Sequence, residues 1–293
     1  MYRWHLQWAD LHVYLQAARI PSVENGNVFA TVGSALLWQR GGIQGAVAEI
    51  QRRIEELGGR VQSFKISRCD LAADIQLTEP LSEHYVQRCS VPSNLKNNAH
   101  RSGDRLETIY LGAKDSPIRL RIYDKSLELS VSCEKLWVLD IWNVSEPADV
   151  WRFEFQLRRD FLKSLGINSF DDLQRLLSGA WKYLTEDWFT LRTPTSSNAT
   201  RRPIEPLWLA VQSAGAALGT PVSVSRRRSQ GRASQEWYGN RISGLIAGLA
   251  AVSGQETLDE ALTVAARLVR SYWNQKDFAE DVQIRRLKNG GGK

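Results

Sequence analysis

Residues 118–125 (IRLRIYDK) carry side chains that are well suited to phosphate chemistry. Apolar and polar residues alternate there, which predicts a β-strand with Arg119, Arg121, Tyr123 and Lys125 on one face. Cations can hold a phosphodiester and lower the cost of forming a phenolate, and a tyrosine can then attack phosphorus. The same pattern also fits a solvated polar face, so the chemistry depends on what neighbouring strands contribute.

Residues 61–77 (VQSFKISRCDLAADIQL) predict a second strand, with Arg68, Asp70 and Asp74 on one face. Carboxylates on such a strand are costly to bury unless they are paired or bind a metal ion. Asp70 and Asp74 are four residues apart, so about 13 Å separates their Cα atoms in a regular strand. One of them can therefore bind a given ion, while the other is free to orient an arginine.

Residues 150–158 (VWRFEFQLR) alternate throughout and predict a third strand, whose polar face carries Arg152, Glu154 and Arg158. If the three strands pair in an antiparallel sheet, their apolar faces pack on helices and their polar faces converge on one open surface. One acid of the second strand together with Glu154 then suits a hard divalent cation. A layer of structural salt bridges is the alternative interpretation of the same residues.

The predicted elements indicate an α+β fold. It consists of an antiparallel β-sheet with helices packed on one face and an open polar active-site face, followed by a helical C-terminal region. We expect a catalytic domain over residues 1–192, a linker at 193–206, and a helical region over 207–293 that binds DNA or a partner. Within the first domain, residues 26–38 predict a strand interrupted by glycine, and residues 91–105 predict a polar loop.

Composition excludes several classes of protein. The chain has 293 residues and 43% of them are hydrophobic, but no apolar run is long enough to predict a transmembrane span. The three cysteines, Cys69, Cys89 and Cys133, are widely spaced and suit a reducing cytoplasm rather than a disulfide framework. The first residues do not have the pattern of a signal peptide, so we expect a cytoplasmic protein. The net charge of +6 permits nucleic-acid binding.

Other catalytic signatures are missing from the sequence. The four histidines, His5, His12, His84 and His100, form no pair with metal-ligand spacing. There is no Walker A sequence, which argues against ATP hydrolysis. Neither the serine-hydrolase Gly-x-Ser-x-Gly motif nor a zinc-protease helix motif occurs.

Four stretches, in this order, resemble the replication initiation factor (Rep_trans) family of rolling-circle plasmids, filamentous-type phages and conjugative elements. They are RCDLAAD at 68–74, TIYLG at 108–112, LRIYDK at 120–125 with Glu128 just beyond, and WRFEF at 151–155. The resemblance implies a site-specific DNA nickase that cuts one strand at an origin. Such a protein stays attached to the 5′ phosphate through a tyrosine and leaves a 3′ hydroxyl for a polymerase.

Carried onto this sequence, the resemblance implies that Tyr123 is the nucleophile. The implied ligands of Mg²⁺ or Mn²⁺ are Asp70 and Glu154, with Asp74 and Asp124 as further candidates. The cations expected to hold the scissile phosphate are Lys125, Arg121 and Arg152. The further side chains expected to contact DNA are Arg68, Arg119, Arg158, Arg226, Arg227 and Arg228. The last three belong to a basic run that fits a solvated loop equally well.

The resemblance also implies partners. They are origin DNA that is locally melted or folded into a hairpin, and a host superfamily 1 helicase. A homodimer is left open, and no membrane is involved. Three alternatives remain: the relaxase of an integrative conjugative element, which uses the same chemistry; a non-catalytic sequence-specific DNA-binding regulator; and a metal-dependent nuclease that uses water, in which Tyr123 would be dispensable.

Overall fold

The computed structural model describes residues 2–16, 27–132, 135–146, 149–224, 226, 235–274 and 276–290. The chain divides into two compact units, Met1–Arg226 and Arg227–Lys293. The first unit is an α+β fold, and the described part of the second is helical. None of the described helices is long and apolar enough to cross a membrane.

The elements are numbered in chain order. The strands are β1 Trp4–Trp8, β2 Leu11–Leu15, β3 Val28–Val32, β4 Arg68–Gln76, β5 Ser90–Val91, β6 Asn97–Ser102, β7 Arg105–Leu111, β8 Ile118–Asp124, β9 Val150–Arg158 and β10 Thr190–Leu191. The α-helices are α1 Ser34–Gln39, α2 Ile43–Glu56, α3 Glu83–Cys89, α4 Lys125–Val131, α5 Trp137–Trp142, α6 Arg159–Ser164, α7 Phe170–Lys182, α8 Pro206–Ser213, α9 Gln235–Ser253, α10 Leu258–Trp273 and α11 Phe278–Gly290. A π-helix, Tyr183–Trp188, follows α7.

The largest sheet is antiparallel and has the strand order β4-β9-β8-β7-β6. Strand β9 therefore lies between β4 and β8, and the three alternating stretches of the sequence are neighbours, as predicted. Strand β9 has the predicted bounds. Strand β4 starts only at Arg68, because residues 61–67 have no partner strand. Strand β8 stops at Asp124, one residue before its predicted end.

The apolar face of this sheet is buried under helices. Phe153 and Phe155 of β9 are completely buried. Both rings pack edge-on against Trp208, and their centroids lie 6.0 and 6.4 Å, respectively, from that of the indole. The indole nitrogen of Trp208 donates to the carbonyl oxygen of Thr185 at 2.8 Å. Truncating a tryptophan in such a place typically costs about 3–5 kcal/mol, so helix α8 is firmly attached to the sheet.

The first unit ends later than the sequence suggests. The sequence predicts a linker at 193–206 and assigns the helix after it to the C-terminal region. In the structure, Trp208 and Val211 of α8 are buried in the core of the first unit, and that unit extends to Arg226. Two large apolar side chains on one short helix require a core to cover them, which explains the difference.

A smaller sheet, β1-β2-β3, forms a second core with helices α1 and α2. The sequence predicts one strand over residues 26–38, but the chain turns into α1 after Gly33. The carboxylate of Asp10 accepts a hydrogen bond from the Ala35 backbone nitrogen at 2.8 Å. A Cβ at Gly33 would lie 1.9 Å from that carboxylate, so glycine permits the turn.

The stretch 91–105, predicted as a polar loop, contains strand β6 at one edge of the large sheet. Most side chains of β6 are exposed. The strand is held through backbone pairing with β7, so no apolar alternation reveals it in the sequence.

Candidate active site

Cross-strand pairing arranges the polar side chains of the large sheet in rows. Tyr123 is opposite Arg152 on one side and Thr108 on the other, and Arg152 is opposite Asp74. The next row contains Ala72, Glu154, Arg121 and Tyr110. The third row contains Asp70, Gln156 and Arg119. Directly paired side chains have Cβ atoms about 4.5–5.5 Å apart, so Tyr123, Arg152 and Asp74 form one contiguous group.

Tyr123 lies on the polar face but is only 3% exposed. The guanidinium of Arg121 stacks on its ring, 3.8 Å from the centroid. The Tyr123 hydroxyl makes no hydrogen bond within the described chain, and its oxygen atom is not fully buried. The hydroxyl therefore keeps contact with solvent while the ring is covered.

The pKa of Tyr123 is raised well above the ordinary value for tyrosine, chiefly by burial. Arg152 and Arg121 lower it, while Glu154 and Glu128 raise it. Four charged side chains therefore act on this phenol. Loss of its proton requires a ligand or a base that offsets burial.

Arg152 and Asp74 form a bidentate ion pair between β9 and β4, with one bond of 2.7 Å. Asp74 also accepts a hydrogen bond of 2.9 Å from the indole nitrogen of Trp142, on helix α5. Both oxygens of Asp74 are thus occupied. Its observed role is to orient Arg152 beside Tyr123 and to attach α5 to the polar face.

The strand-to-helix junction after Tyr123 involves two of the predicted site residues. The Asp124 carboxylate accepts a hydrogen bond from the Leu127 backbone nitrogen at 2.8 Å, which caps helix α4, and it also pairs with Arg105. The predicted strand face includes Lys125, but the helix begins at that residue. Lys125 nevertheless stays near the phenol, with its Nζ 5.8 Å from the Tyr123 ring centroid.

Glu128 is an acid near the phenol that does not belong to the predicted site. It accepts a hydrogen bond from Lys125, which is 1% exposed, and a bond of 3.2 Å from Lys135. Burial lowers the pKa of Lys125. Burial acts to raise the pKa of Glu128, but the two lysines outweigh it and the net shift is downward. The sequence signal for this role is the spacing of Lys125 and Glu128, because residues three apart are neighbours on a helix.

Glu154 occupies the middle of the polar face, half-buried on β9. It accepts a hydrogen bond from Gln156 at 2.9 Å and takes part in no ion pair within the described chain. Asp70, by contrast, is paired with Arg68 through two hydrogen bonds of 2.6 and 2.7 Å. Sheet spacings put its Cα atom roughly 16 Å from that of Tyr123.

The four predicted metal ligands therefore do not converge. Across the described ranges, no group of three or more histidine, cysteine, aspartate or glutamate side chains is arranged to hold a metal ion. Asp70, Asp74 and Asp124 are occupied by arginines or by a helix cap, which leaves Glu154. Mg²⁺ is commonly held by one or two carboxylates together with substrate phosphates and water, so Glu154 fits a site that the substrate completes.

Arg119 and Arg121 are stacked on aromatic rings instead of paired with acids. The guanidinium of Arg119 lies 3.7 Å from the Tyr110 centroid, and that of Arg121 lies 5.9 Å from the same ring. The Nε atom of each is buried without a hydrogen-bond partner. Neither arginine takes part in an ion pair in the part of the chain that the structure describes.

The other predicted DNA contacts are dispersed. Arg158, at the end of β9, donates to the carbonyl oxygen of Lys114 at 2.7 Å. Arg226 lies over the ring of Phe161, 5.6 Å from its centroid, against the apolar core rather than on the polar face. The remaining two residues of the basic run, Arg227 and Arg228, lie outside the described residues.

No protein-family model matches this chain, and no curated protein matches it significantly. Among solved structures, it is similar to the rolling circle replication initiator protein from Geobacillus stearothermophilus. The TM-score is 0.42 and the sequence identity 17%, over 74% of this chain and 76% of that chain. A likeness of this degree leaves the function of the present chain to be argued from its own residues.

Proposed function

We propose that this chain is a rolling-circle replication initiator that nicks and rejoins one strand of origin DNA, with Tyr123 as the nucleophile. The observation that carries the proposal is the environment of the Tyr123 hydroxyl. That hydroxyl makes no hydrogen bond within the described ranges and reaches solvent, while Arg121 stacks on its ring and Arg152 is the opposite residue on β9. A structural tyrosine this deeply buried normally has a partner for its hydroxyl.

The proposed step is a transesterification. The Tyr123 oxygen forms a bond to phosphorus, the bond from phosphorus to the 3′ oxygen breaks, and the phenol proton leaves. The products are a 5′-phosphotyrosyl ester and a 3′ hydroxyl, which takes up one proton. The ester retains the energy of the phosphodiester, so attack by a 3′ hydroxyl reverses the step and rejoins the strand.

Each charged neighbour has a task in this scheme. Arg152, held by Asp74, and the buried Lys125 place positive charge where the transition state gains negative charge. The carboxylates that act on the phenol, Glu154 and Glu128, are the candidates to receive its proton. Glu154 is also the proposed ligand of Mg²⁺ or Mn²⁺, and such an ion, when bound, would polarise the phosphate.

The proposal includes the expected partners. The target phosphate has to leave regular duplex geometry to reach a phenol that is only 3% exposed, which favours DNA that is locally melted or folded into a hairpin. We further propose a host superfamily 1 helicase as a partner, and a homodimer as one assembly to test. A relaxase of an integrative conjugative element would use the same site and differ only in the DNA sequence that it recognises.

A second candidate function is a DNA-binding regulator without cleavage activity. It is favoured by one observation: three of the four predicted metal ligands, Asp70, Asp74 and Asp124, already have structural partners. A regulator would still need the unpaired arginines, but it would not need the Tyr123 hydroxyl.

The test uses supercoiled plasmids that carry fragments of the DNA encoding this chain and its flanking sequence. The full chain is incubated with them and Mn²⁺, and covalent protein–DNA adducts are detected after denaturation. Tyr123→Phe should abolish the adduct, whereas Tyr110→Phe, on the neighbouring strand of the same face, should retain it. Nicking by Tyr123→Phe without an adduct would identify a nuclease that uses water. Fragment-specific binding without any nicking would identify the regulator.

A further inference from the structure

We infer that one strand of the nucleic acid runs along β8, with consecutive phosphates at Arg121 and Arg119 leading away from Tyr123. This inference deepens the proposed function, since it takes Tyr123 as the position of the scissile phosphate. It adds a path for the bound strand and assigns one phosphate to each of two arginines.

Tyrosine rings hold the two arginines in place. Tyr110 is directly opposite Arg121 in the register of the sheet, and the guanidinium of Arg119 stacks on its ring at 3.7 Å. Tyr123 supports Arg121 on the other side at 3.8 Å. Among the described residues, the Nη atoms of both arginines have no hydrogen-bond partner, and unlike the Nε atoms they are not buried. The outer edges of the guanidinium groups therefore face solvent, and their planes are fixed by stacking.

Within the described chain, the guanidinium groups of Arg119 and Arg121 have no carboxylate partner. Other arginines of the same face are neutralised, since Arg152 pairs with Asp74 and Arg68 pairs with Asp70. The Nη edges of Arg119 and Arg121 face solvent with their charge unpaired within the described chain, so they are the groups that a ligand can reach. A planar guanidinium matches phosphate oxygens in geometry and charge, so an anion is the ligand that fits.

The spacing of the three residues favours a nucleic-acid strand over a single anion. Tyr123, Arg121 and Arg119 alternate on one strand, so their Cα atoms are about 6.6 Å apart in succession. An unstacked single strand can extend to about twice the 3.4 Å per phosphate of a duplex strand. One phosphate can therefore face each residue. An acidic protein segment is the alternative occupant, but the proposed chemistry of Tyr123 requires a phosphodiester at the first position.

The experiment measures binding, so it does not depend on cleavage. The full chain carrying Tyr123→Phe is titrated with a fluorescent oligothymidylate of about 12 nucleotides, a length within the range of single-strand sites, at a series of salt concentrations. Arg119→Gln and Arg121→Gln should each reduce the slope of log affinity against log salt by about 0.7, the value for one phosphate of a single strand. The double variant should lose about 1.4.

Two controls separate this result from a general loss of charge or of folding. Arg175→Gln, which removes an exposed arginine paired with Asp172 on α7, should leave the slope unchanged. Arg119→Lys and Arg121→Lys keep the charge and should retain the slope even if the loss of stacking weakens the fold.

Three results would overturn the inference. They are an unchanged slope in both Gln variants, a loss as large in Arg175→Gln, and a double variant that loses no more than either single one, which would place both arginines on one phosphate. If the slopes behave as expected but no covalent adduct forms with origin DNA, the strand path stands and the nicking function fails.

Discussion

The polar face of the large sheet has two halves that differ in how their charges are satisfied. On β4 and β9, which we call the paired half, Arg68 and Arg152 each bond a carboxylate. On β8 and β7, the unpaired half, Arg119 and Arg121 stack on tyrosines and pair with no acid that the structure describes. The same residue type is therefore bonded to an acid on one half and stacked on a tyrosine on the other. Four predictions test this comparison, from the largest expected effect to the smallest.

Arg152→Gln should have the largest effect on stability. It leaves the Asp74 carboxylate, which is 19% exposed, without its cation. Breaking a buried ion pair by removing one partner costs about 3–5 kcal/mol, so we expect roughly 2–3 kcal/mol for this partly exposed pair. Arg121→Gln is the matched variant and should cost about 1 kcal/mol or less, the loss of a stacking contact. Urea unfolding measures both, and equal losses would contradict the distinction between the halves.

Trp142→Phe should have an intermediate effect. It removes the indole hydrogen bond to Asp74 but retains an aromatic ring on α5. Hydrogen bonds to charged groups contribute about 1.5–3 kcal/mol, and we expect the lower part of that range because the ring is not fully buried. Trp38→Phe, on an exposed surface of α1, is the control and should leave the unfolding free energy unchanged. A loss in both variants would mean that α5 is not attached through Asp74.

Asp70→Asn should change stability little but should change binding. The pair of Arg68 and Asp70 is solvent-exposed, and such pairs contribute about 0–1 kcal/mol. Removing the acid frees Arg68 and makes the paired half resemble the unpaired one. We therefore expect tighter binding of oligothymidylate with a steeper salt dependence. Weaker binding would show that Asp70 itself contacts the ligand.

The titration of Tyr123 should show the smallest and most local effect. Its pKa is raised in the folded state, so the stability that it contributes is fully present below its ordinary pKa of 10.0 and is lost as the pH rises above it. Arg121→Gln removes a cation that lowers this pKa and should move the ionisation to still higher pH. Ultraviolet difference titration against Tyr123→Phe would detect it, and a downward shift would contradict the stacked geometry.

The faces of the strands could be predicted from the sequence because they depend on a local pattern. Alternation in residues 150–158 determines which side chains of β9 are buried and which are polar. Because a slip of one residue would turn every apolar side chain to the polar face, the orientation of the strand is fixed. The same argument applies to residues 118–124. These predictions hold because the side-chain period of a strand does not depend on what lies beyond it.

The pairing of charges could not be predicted in the same way. Whether an aspartate bonds an arginine depends on which residues are opposite each other, and the register alone makes Asp74 the neighbour of Arg152. The stacking of Arg121 on the Tyr123 ring likewise depends on side-chain rotamers that the alternation does not determine. The sequence does carry a signal for the role of Asp124, because an aspartate directly before a helix is a typical N-cap residue. That cap, together with the pair with Arg105, occupies the Asp124 carboxylate.

The junction between β8 and α4 limits how the surroundings of Tyr123 can be altered. Extended backbone becomes helical within one residue, and the Asp124 cap fixes the dihedral angles there. Moving the main chain of residue 123 would pull on the first turn of the helix and on the sheet at once. Attempts to expose more of the Tyr123 ring should therefore succeed by shortening surrounding side chains, whereas loop grafts at this point should unfold the helix.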